Sequence, residues 1–371
     1  MRKHYLDNIR WFSVLAVLVY HVFFMFNALS DLSFRTFSDV QYQDSMLYVL
    51  YPWIMVILFL IAGMSSRYYL EKHTIKEFIA SRTRKLLVPS TIGILLFGWM
   101  QGYISMAEAN AFAADKGLMA LPGIVRFLIM DVSGTSILWF SQELWVLSLI
   151  LALIAKFEKG KLYKFTSKAG IVAAVLLGIP VFFSAQILNL PILSVYRFGI
   201  YPLVFLLGYF VFAHDEVIDR IAGFRIPLII AAVALGVTYL VLHFGDDPMS
   251  MPTMGSIPAV AYCWAVCLAL LGSFRAWFDK KTPFTSYMTQ RSFGIYTFHY
   301  FAMSAVALLL TRYCDLPAFV YYLLCGIAGI AGAIVLWEIV TRIPFVRWCL
   351  LGIKKNRKKE TSACSTTTSS N

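Results

Sequence analysis

Arg10 and His21 lie at the two ends of an apolar segment, a spacing that indicates chemistry inside a membrane. An ionisable side chain in hydrocarbon costs several kcal/mol, so it is usually kept for a function or for a partner. The helical stretch from Arg10 to His21 rises about 16 Å. That rise would put Arg10 at one membrane surface and His21 near the middle of the bilayer, where an imidazole can act as a general base.

Three further ionisable residues, Glu143, His299 and Glu338, fall inside apolar segments. His299 follows Arg291 by about 12 Å of helix, so we expect its imidazole at nearly the same depth as that of His21. Glu143 is expected about 10 Å below the opposite surface, within one or two helical turns of His21. A carboxylate beside a histidine can set its tautomer and assist base catalysis. The alternative is a structural role, in which each residue is hydrogen-bonded to a neighbouring helix, and Glu338 is close enough to the inner end of its segment to reach the headgroups.

A second group of candidates is basic and lies just before an apolar segment. Arg82, Arg84 and Lys85 are followed by Val88 and Pro89, where the third apolar segment begins. Neighbouring cations can bind phosphates, and Arg does so with a bidentate fork, so a phosphorylated cofactor such as coenzyme A would suit them. Anchoring of the membrane topology explains the same residues equally well. Because Arg84 and Lys85 are neighbours on a helix, we expect their side chains to point in different directions.

The elements that must position these residues are membrane-spanning helices. The chain has 371 residues, of which 60% are hydrophobic and 14% are charged, and its mean hydropathy is +0.72. Soluble domains carry about 25% charged residues, so this composition indicates an integral membrane protein of the all-α class. Ten apolar runs are long enough to cross a bilayer. They lie near residues 9–29, 47–66, 87–106, 136–155, 169–187, 198–213, 226–244, 257–273, 292–310 and 316–339.

The distribution of positive charge supports ten spans and predicts the orientation of the bundle. With the N-terminus in the cytoplasm, 27 of the 32 Lys and Arg residues fall in the inner segments. Such a bias is typical of multi-pass membrane proteins, and it predicts that both termini are cytoplasmic. The net charge of +12 is therefore explained by topology, and it does not indicate a nucleic-acid partner.

The chain is predicted to form one membrane domain with a short tail. The membrane domain covers residues 1–353, and the tail, residues 354–371, begins with a basic cluster and becomes rich in Ser and Thr, which predicts disorder. No metal is expected. Cys263 and Cys267 share a helix face, but neither a second Cys pair nor a neighbouring His completes a ligand set.

Five segments, in order along the chain, resemble the acyltransferase family three of polytopic membrane acyltransferases. They are residues 5–10 with His21 ten residues after Arg10 (the family's Arg-x10-His motif), residues 58–63, Phe78 with residues 82–89, residues 138–140 and residues 292–299. The resemblance extends from residue 5 to about residue 300, and the family also has ten predicted spans. The family's Arg-x-x-Arg pattern falls on Arg82 and Lys85, where Lys replaces the second Arg. Residues 61–89 are most similar to a branch that includes periplasmic glucan succinyl-transfer proteins.

The resemblance implies an O-acyltransferase of the bacterial plasma membrane. Its donor would be a cytoplasmic acyl-CoA, acetyl-CoA or succinyl-CoA, with the phosphates held by Arg82, Arg84 and Lys85 and with help from Arg10. His21 would be the general base or a transient acyl carrier, and Glu143 or His299 would orient it or relay a proton. The acceptor would be a hydroxyl of a cell-envelope or exported carbohydrate or glycolipid. No permanently bound cofactor is expected.

Two other functions are compatible with the same residues. Mid-membrane His and Glu residues, together with segments broken by Gly and Pro, also occur in proton-coupled transporters and in flippases of envelope precursors. A transporter would move its substrate without changing it covalently. A membrane scaffold or sensor would keep its function after loss of the His21 imidazole.

Overall fold

The fold is an all-helical bundle. The computed structural model describes residues 3–29, 33–113, 117–134, 136–158, 160–190 and 196–353, and these residues form no β-strand. The predicted tail, residues 354–371, lies outside the described residues.

The α-helices are α1 (His4–Phe24), α2 (Ser45–Leu70), α3 (Ile75–Arg82), α4 (Val88–Ser90), α5 (Ile92–Glu108), α6 (Gly123–Ser133), α7 (Trp139–Glu158), α8 (Lys161–Thr166), α9 (Ile171–Leu176), α10 (Gly178–Ala185), α11 (Ile200–Leu207), α12 (Asp215–Gly223), α13 (Arg225–His243), α14 (Met251–Met254), α15 (Ile257–Trp277), α16 (Pro283–Tyr313), α17 (Ala318–Arg342) and α18 (Pro344–Leu351). Three 3₁₀ turns (Tyr42–Asp44, Leu118–Ala120, Ser136–Leu138) and two π-helical turns (Thr83–Leu87, Gly208–Phe212) connect some of them.

The described residues contain eight helices that are long and apolar enough to cross a membrane. They correspond to eight of the ten predicted runs, which confirms the all-α polytopic class. The run near 198–213 is Ile200–Phe212, which with Asp215–Gly223 forms a pair bent by 97° and would be a ninth span. The run near 169–187 is the shorter apolar segment Ile171–Ala185, interrupted at Leu177. A count of ten spans and cytoplasmic termini therefore stay predictions.

Local sequence explains where the long helix α16 begins. Thr282 is its N-cap, and the Thr282 hydroxyl accepts a hydrogen bond from the Thr285 amide. In turn, the Thr285 hydroxyl accepts a hydrogen bond from the Thr282 amide. Pro283 occupies the first helical turn, where the missing N–H is not needed. From this fixed start, 31 residues continue without a break. The register of the cap therefore sets the height at which His299 lies.

Close backbone contact holds α2 against the segment after α11. A Cβ atom on Gly63 would lie 1.9 Å from the Phe205 carbonyl oxygen, and one on Gly208 would lie 2.0 Å from the Leu60 carbonyl oxygen. Only glycine allows two backbones to approach so closely. The two glycines thus fix α2 in the centre of the bundle.

Helices α1 and α2 are central, whereas α13 and α17 are peripheral. In the most apolar window of α2, 78% of the residues are buried inside the protein, against 17% for α13 and 22% for α17. Helix α1 packs on α2, α16 and α17, so its side chains face other helices on several sides. In hydrocarbon, apolar surface facing lipid needs no protein cover, which explains the exposed side chains of α13 and α17.

Candidate active site

The structure brings His21 and His299 into direct contact. Nε2 of His299 on α16 lies 3.1 Å from Nδ1 of His21 on α1, and the ring centroids are 5.2 Å apart. His299 is fully buried, whereas His21 is partly accessible and lines a cavity. The two imidazoles therefore lie at the same level of the bundle, as expected from the sequence.

The hydrogen bonds of the pair assign its tautomers. Nδ1 of His299 lies 3.0 Å from the Ile295 carbonyl oxygen and 2.8 Å from that of Tyr296, so this nitrogen must carry a hydrogen. In a neutral imidazole the other nitrogen, Nε2, is then an acceptor. Nδ1 of His21, which lies 2.9 Å from the Val17 carbonyl oxygen, carries the hydrogen shared between that carbonyl and His299. Nε2 of His21 is left with its lone pair, and no described residue hydrogen-bonds it.

A basic cavity of about 630 Å³ opens at one end of the bundle, which we call the basic end. Arg10, Arg82, Arg84 and Lys85 all line it, and none of its described lining residues carries a carboxylate. Its deeper wall is apolar and aromatic. The other lining residues used below are Leu58, Ala62, Phe140, Gly294, Tyr296 and Trp337. A cavity with four cations at its mouth and apolar walls further in suits a ligand with phosphates at one end and a neutral arm at the other.

Arg84 and Lys85 both line the basic cavity, and the expectation that their side chains point in different directions stays a prediction. Thr83–Leu87 is a π-helical turn, not a regular α-helical one. The extra residue in such a turn changes the angular spacing of the side chains, and π-turns often mark functional sites. Arg84 therefore adds a guanidinium to the lining of the cavity that also contains Lys85.

Two of the four cations are already oriented by neighbours. Arg82 donates a hydrogen bond of 2.8 Å to the Ser66 hydroxyl. Arg10 pairs with Asp7 at 2.9 Å and donates a bond of 3.1 Å to the Ser65 hydroxyl. Such contacts hold each side chain while leaving other N–H groups for a ligand.

A second cavity of about 220 Å³ lies toward the opposite end of the bundle and contains His21. We call it the aromatic cavity, because half of its lining residues are Phe, Tyr or Trp. They are Tyr20, Phe24, Tyr51, Trp139, Tyr296 and Tyr300. The Tyr300 ring lies 4.9 Å from the His21 ring, centroid to centroid. Aromatic faces with hydroxyl groups at their edges suit a ligand that has both apolar and hydroxyl-bearing surfaces.

Glu143 and Glu338 take no part in either cavity. Glu143 is buried, no described residue hydrogen-bonds its carboxyl group, and no contact joins it to His21 or His299 in the part of the chain described. Its role as an orienting or relaying group stays a prediction. Glu338 pairs with Arg291 at 2.9 Å, and the Arg291 guanidinium lies 4.3 Å from the centre of the Trp337 ring. Glu338 thus supports a wall of the basic cavity.

Sequence reasoning did not single out Tyr296, which lines both cavities. Its hydroxyl donates a hydrogen bond to the Ile137 carbonyl. A signal was present in the sequence, because Tyr296 precedes His299 by three residues and so lies on the same face of a helix. In a chain with 16% aromatic residues this spacing alone does not stand out.

Comparison with known proteins places the chain in a family. Among the described residues, no group of three or more His, Cys, Asp or Glu side chains could hold a metal ion. No curated protein and no solved structure matches the chain significantly. The family model described as an acyltransferase domain matches residues 3–338, nearly the whole chain, including both histidines and all four cations. The chain is therefore a multi-pass membrane protein that belongs to acyltransferase family 3.

Proposed function

We propose that this membrane acyltransferase transfers an acetyl or succinyl group from acyl-CoA to a hydroxyl group, with His21 as the general base. The donor would enter from the basic end, which we assign to the cytoplasm of a bacterial cell. The acceptor would enter the aromatic cavity from the other face of the plasma membrane. The observation that carries the proposal is the position of His21, which lines a cavity next to a separate cavity that is lined by four cations.

The lining of the basic cavity supports acyl-CoA as the donor. Arg82, Arg84 and Lys85, with Arg10, would hold the phosphates, because charge-assisted bonds from Arg and Lys are the strong phosphate contacts in proteins. The neutral arm would follow the apolar wall past Phe140 toward Tyr296. The thioester would then approach His21 from the side opposite to the acceptor.

The tautomers of the histidine pair support a base at Nε2 of His21. As the acceptor oxygen bonds to the thioester carbonyl carbon, its proton would pass to Nε2. His299 would stabilise the resulting imidazolium through the hydrogen bond from His21 Nδ1, as an orienting group does in a catalytic triad. The C–S bond would then break, and the leaving thiolate would take the proton from Nε2. An ester and free CoA would be the products.

The walls of the aromatic cavity support a carbohydrate or glycolipid acceptor. Sugars present hydroxyl edges and apolar faces, which match tyrosine hydroxyls and aromatic rings. An envelope glycan or an exported carbohydrate would have such a group on the outer side of the membrane. The family resemblance gives the same acceptor class.

The test is mass spectrometry of ester-linked acyl groups that mild base releases from envelope glycans and lipids. Cells lacking the protein are compared with cells that express the wild type, His21→Ala or His243→Ala at matched membrane abundance. His243 is the matched control, because it lies outside both cavities and pairs with Asp246. We expect one acyl species with the wild type and with His243→Ala, and none with His21→Ala.

Identical acyl profiles in all four strains would overturn the proposal. Movement of an unmodified envelope precursor across the membrane that depends on the protein would then support a transporter. A wild-type acyl species that persists at the same level in His21→Ala would instead retain the transferase and reject His21 as its base.

A further inference from the structure

The two cavities meet at one side chain. Among the described residues, Tyr296 is the only one that lines both the basic cavity and the aromatic cavity. Its side chain is buried, its hydroxyl donates to the Ile137 carbonyl, and its ring lies 5.9 Å from that of Phe140. The phenol is thus held by a hydrogen bond at its hydroxyl and by a T-shaped contact with the Phe140 ring.

The boundary between the cavities crosses the central helices at the same level. On α2, Met55 lines the aromatic cavity, and Leu58 and Ala62 line the basic cavity. On α7, Trp139 lines the aromatic cavity, and its neighbour Phe140 lines the basic cavity. The lining residues therefore change from one cavity to the other within a single turn of each helix.

A similar change occurs on α1. Val14 lines the basic cavity, whereas Val17 and His21 line the aromatic cavity. His21 is therefore on the far side of the boundary from the cations. An acyl group that enters among those cations has to pass the level of Tyr296 to reach Nε2 of His21.

We propose that the Tyr296 side chain is a partition between the two cavities and limits the size of the acyl group that reaches His21. The part that concerns acyl groups rests on the proposed function. The part that concerns the partition itself rests on the geometry of the cavities alone.

Removing the ring would have two chemical consequences. A shorter side chain would join the cavities and leave room for extra methylene groups beside His21. It would also let water reach the thioester from the aromatic cavity. Water would then add to the carbonyl carbon, the C–S bond would break, and a carboxylic acid and free CoA would form without an acceptor.

The partition is tested first by cysteine labelling in membrane vesicles of both orientations. Met55→Cys and Ala62→Cys are made singly, and a membrane-impermeant thiol reagent is applied. Label at each position is measured by peptide mass spectrometry, so the native cysteines can stay in place. We expect Met55→Cys to be labelled from one face only and Ala62→Cys from the opposite face only.

Adding Tyr296→Leu should allow both cysteines to be labelled from both faces. Tyr313→Leu, on the exposed end of the same helix, is the matched control and should leave the labelling one-sided. Labelling of Met55→Cys from both faces while Tyr296 is intact would overturn the partition. Unchanged one-sided labelling in a folded Tyr296→Leu protein would overturn it as well.

The limit on acyl size is tested with acetyl-CoA, succinyl-CoA, butyryl-CoA and hexanoyl-CoA as donors to inside-out vesicles. Each methylene excluded from an apolar pocket changes selectivity by about tenfold or more. In Tyr296→Leu we therefore expect the preference for the shortest accepted donor over hexanoyl-CoA to fall at least about tenfold. Release of free CoA thiol without transfer should rise at the same time.

Tyr296→Phe distinguishes the ring from its hydrogen bond. It keeps the ring and removes the bond to Ile137, so the size preference should remain close to that of the wild type. The inference would be overturned, and the proposed function left intact, if the wild type transfers acyl groups and Tyr296→Leu shows the same preference for short donors as the wild type. A wild type that uses none of the four donors would reject the proposed function, and the labelling result would still decide the partition.

Discussion

The Nε2 atom of His299 lies 3.1 Å from the Nδ1 atom of His21, so a second imidazole, and not a carboxylate, contacts the candidate base. The hydrogen on Nδ1 of His299 is directed to the carbonyl oxygens of Ile295 and Tyr296. The backbone of α16 thus fixes the tautomer of His299, and His299 together with the Val17 carbonyl fixes that of His21. This chain of hydrogen bonds leads to the first prediction.

Replacement of His299 by Phe should lower kcat by roughly 10²- to 10⁴-fold, the range of a general acid–base contribution. The phenyl ring fills the site but cannot accept the hydrogen from Nδ1 of His21. His299→Gln should recover part of the loss, because its amide oxygen can accept that hydrogen while its amide nitrogen donates to a carbonyl. Steady-state kinetics of both variants, with KM for the donor nearly unchanged, would check this. Equal loss in the two variants would indicate a packing role only.

Replacement of Arg84 by Ala should raise KM for acyl-CoA about tenfold or more, since a hydrogen bond to a charged group contributes about 1.5–3 kcal/mol. The effect on kcat should be small, because the contact is expected in both the bound state and the transition state. Lys156→Ala is the matched control, as Lys156 is an exposed cation in the last turn of α7 that lines neither cavity. An unchanged KM in Arg84→Ala would show that the cation serves only membrane topology.

Direct transfer to the acceptor predicts that no acyl group accumulates on the protein. Incubation with acyl-CoA and no acceptor, followed by intact-protein and peptide mass spectrometry, should detect unmodified His21. Detection of an acyl group on His21 would instead establish the transient carrier, because Nε2 is also free to act as a nucleophile.

Glu143→Gln should keep most of the activity, because no described contact links this carboxyl group to either histidine. A group that takes part in proton transfer contributes about 10²-fold or more to the rate. A loss of kcat of severalfold or less would therefore exclude such a role for Glu143. The measurement is kcat at matched protein abundance. A hundredfold loss would support the relay role predicted for Glu143 from the sequence.

Gly63→Ala should destabilise the bundle by about 1–3 kcal/mol or more, as overpacking of a close contact does. The new Cβ atom would lie 1.9 Å from the Phe205 carbonyl oxygen, and the two backbones would have to separate. Gly223→Ala is the matched control, because no atom beyond its chain neighbours and its own helix backbone lies within 4 Å of the added Cβ. Thermal unfolding in detergent would compare the two, and equal Tm values would contradict the close crossing.

Residue counting predicted the depth of the catalytic candidates because the rise of a helix is constant. His21 and His299 were each placed by their distance from a basic residue, and the capped start of α16 preserves that register. The same reasoning did not predict the π-turn at Thr83–Leu87, which changes the angle between neighbouring side chains such as Arg84 and Lys85. The two predicted runs that do not correspond to one of the eight long helices, 169–187 and 198–213, are the ones where the helix is interrupted or bent.

The boundary between the cavities could not be predicted from the sequence. It depends on how α1, α2, α7 and α16 are packed side by side, and a sequence pattern gives depth along each helix but not the neighbours across it. Tyr296 carries no charge and breaks no pattern, so only the packed structure distinguishes it from other aromatic residues.

A boundary of packed aromatic rings also matters for the energy supply of the cell. Each elementary charge that crosses a membrane potential of 100 mV releases about 2.3 kcal/mol. A continuous water-filled passage beside two histidines would conduct protons across the membrane, driven by that potential, even when no substrate is bound. Under the proposed function, a closed boundary would let acyl groups cross one at a time while the coenzyme and the proton-motive force stay inside.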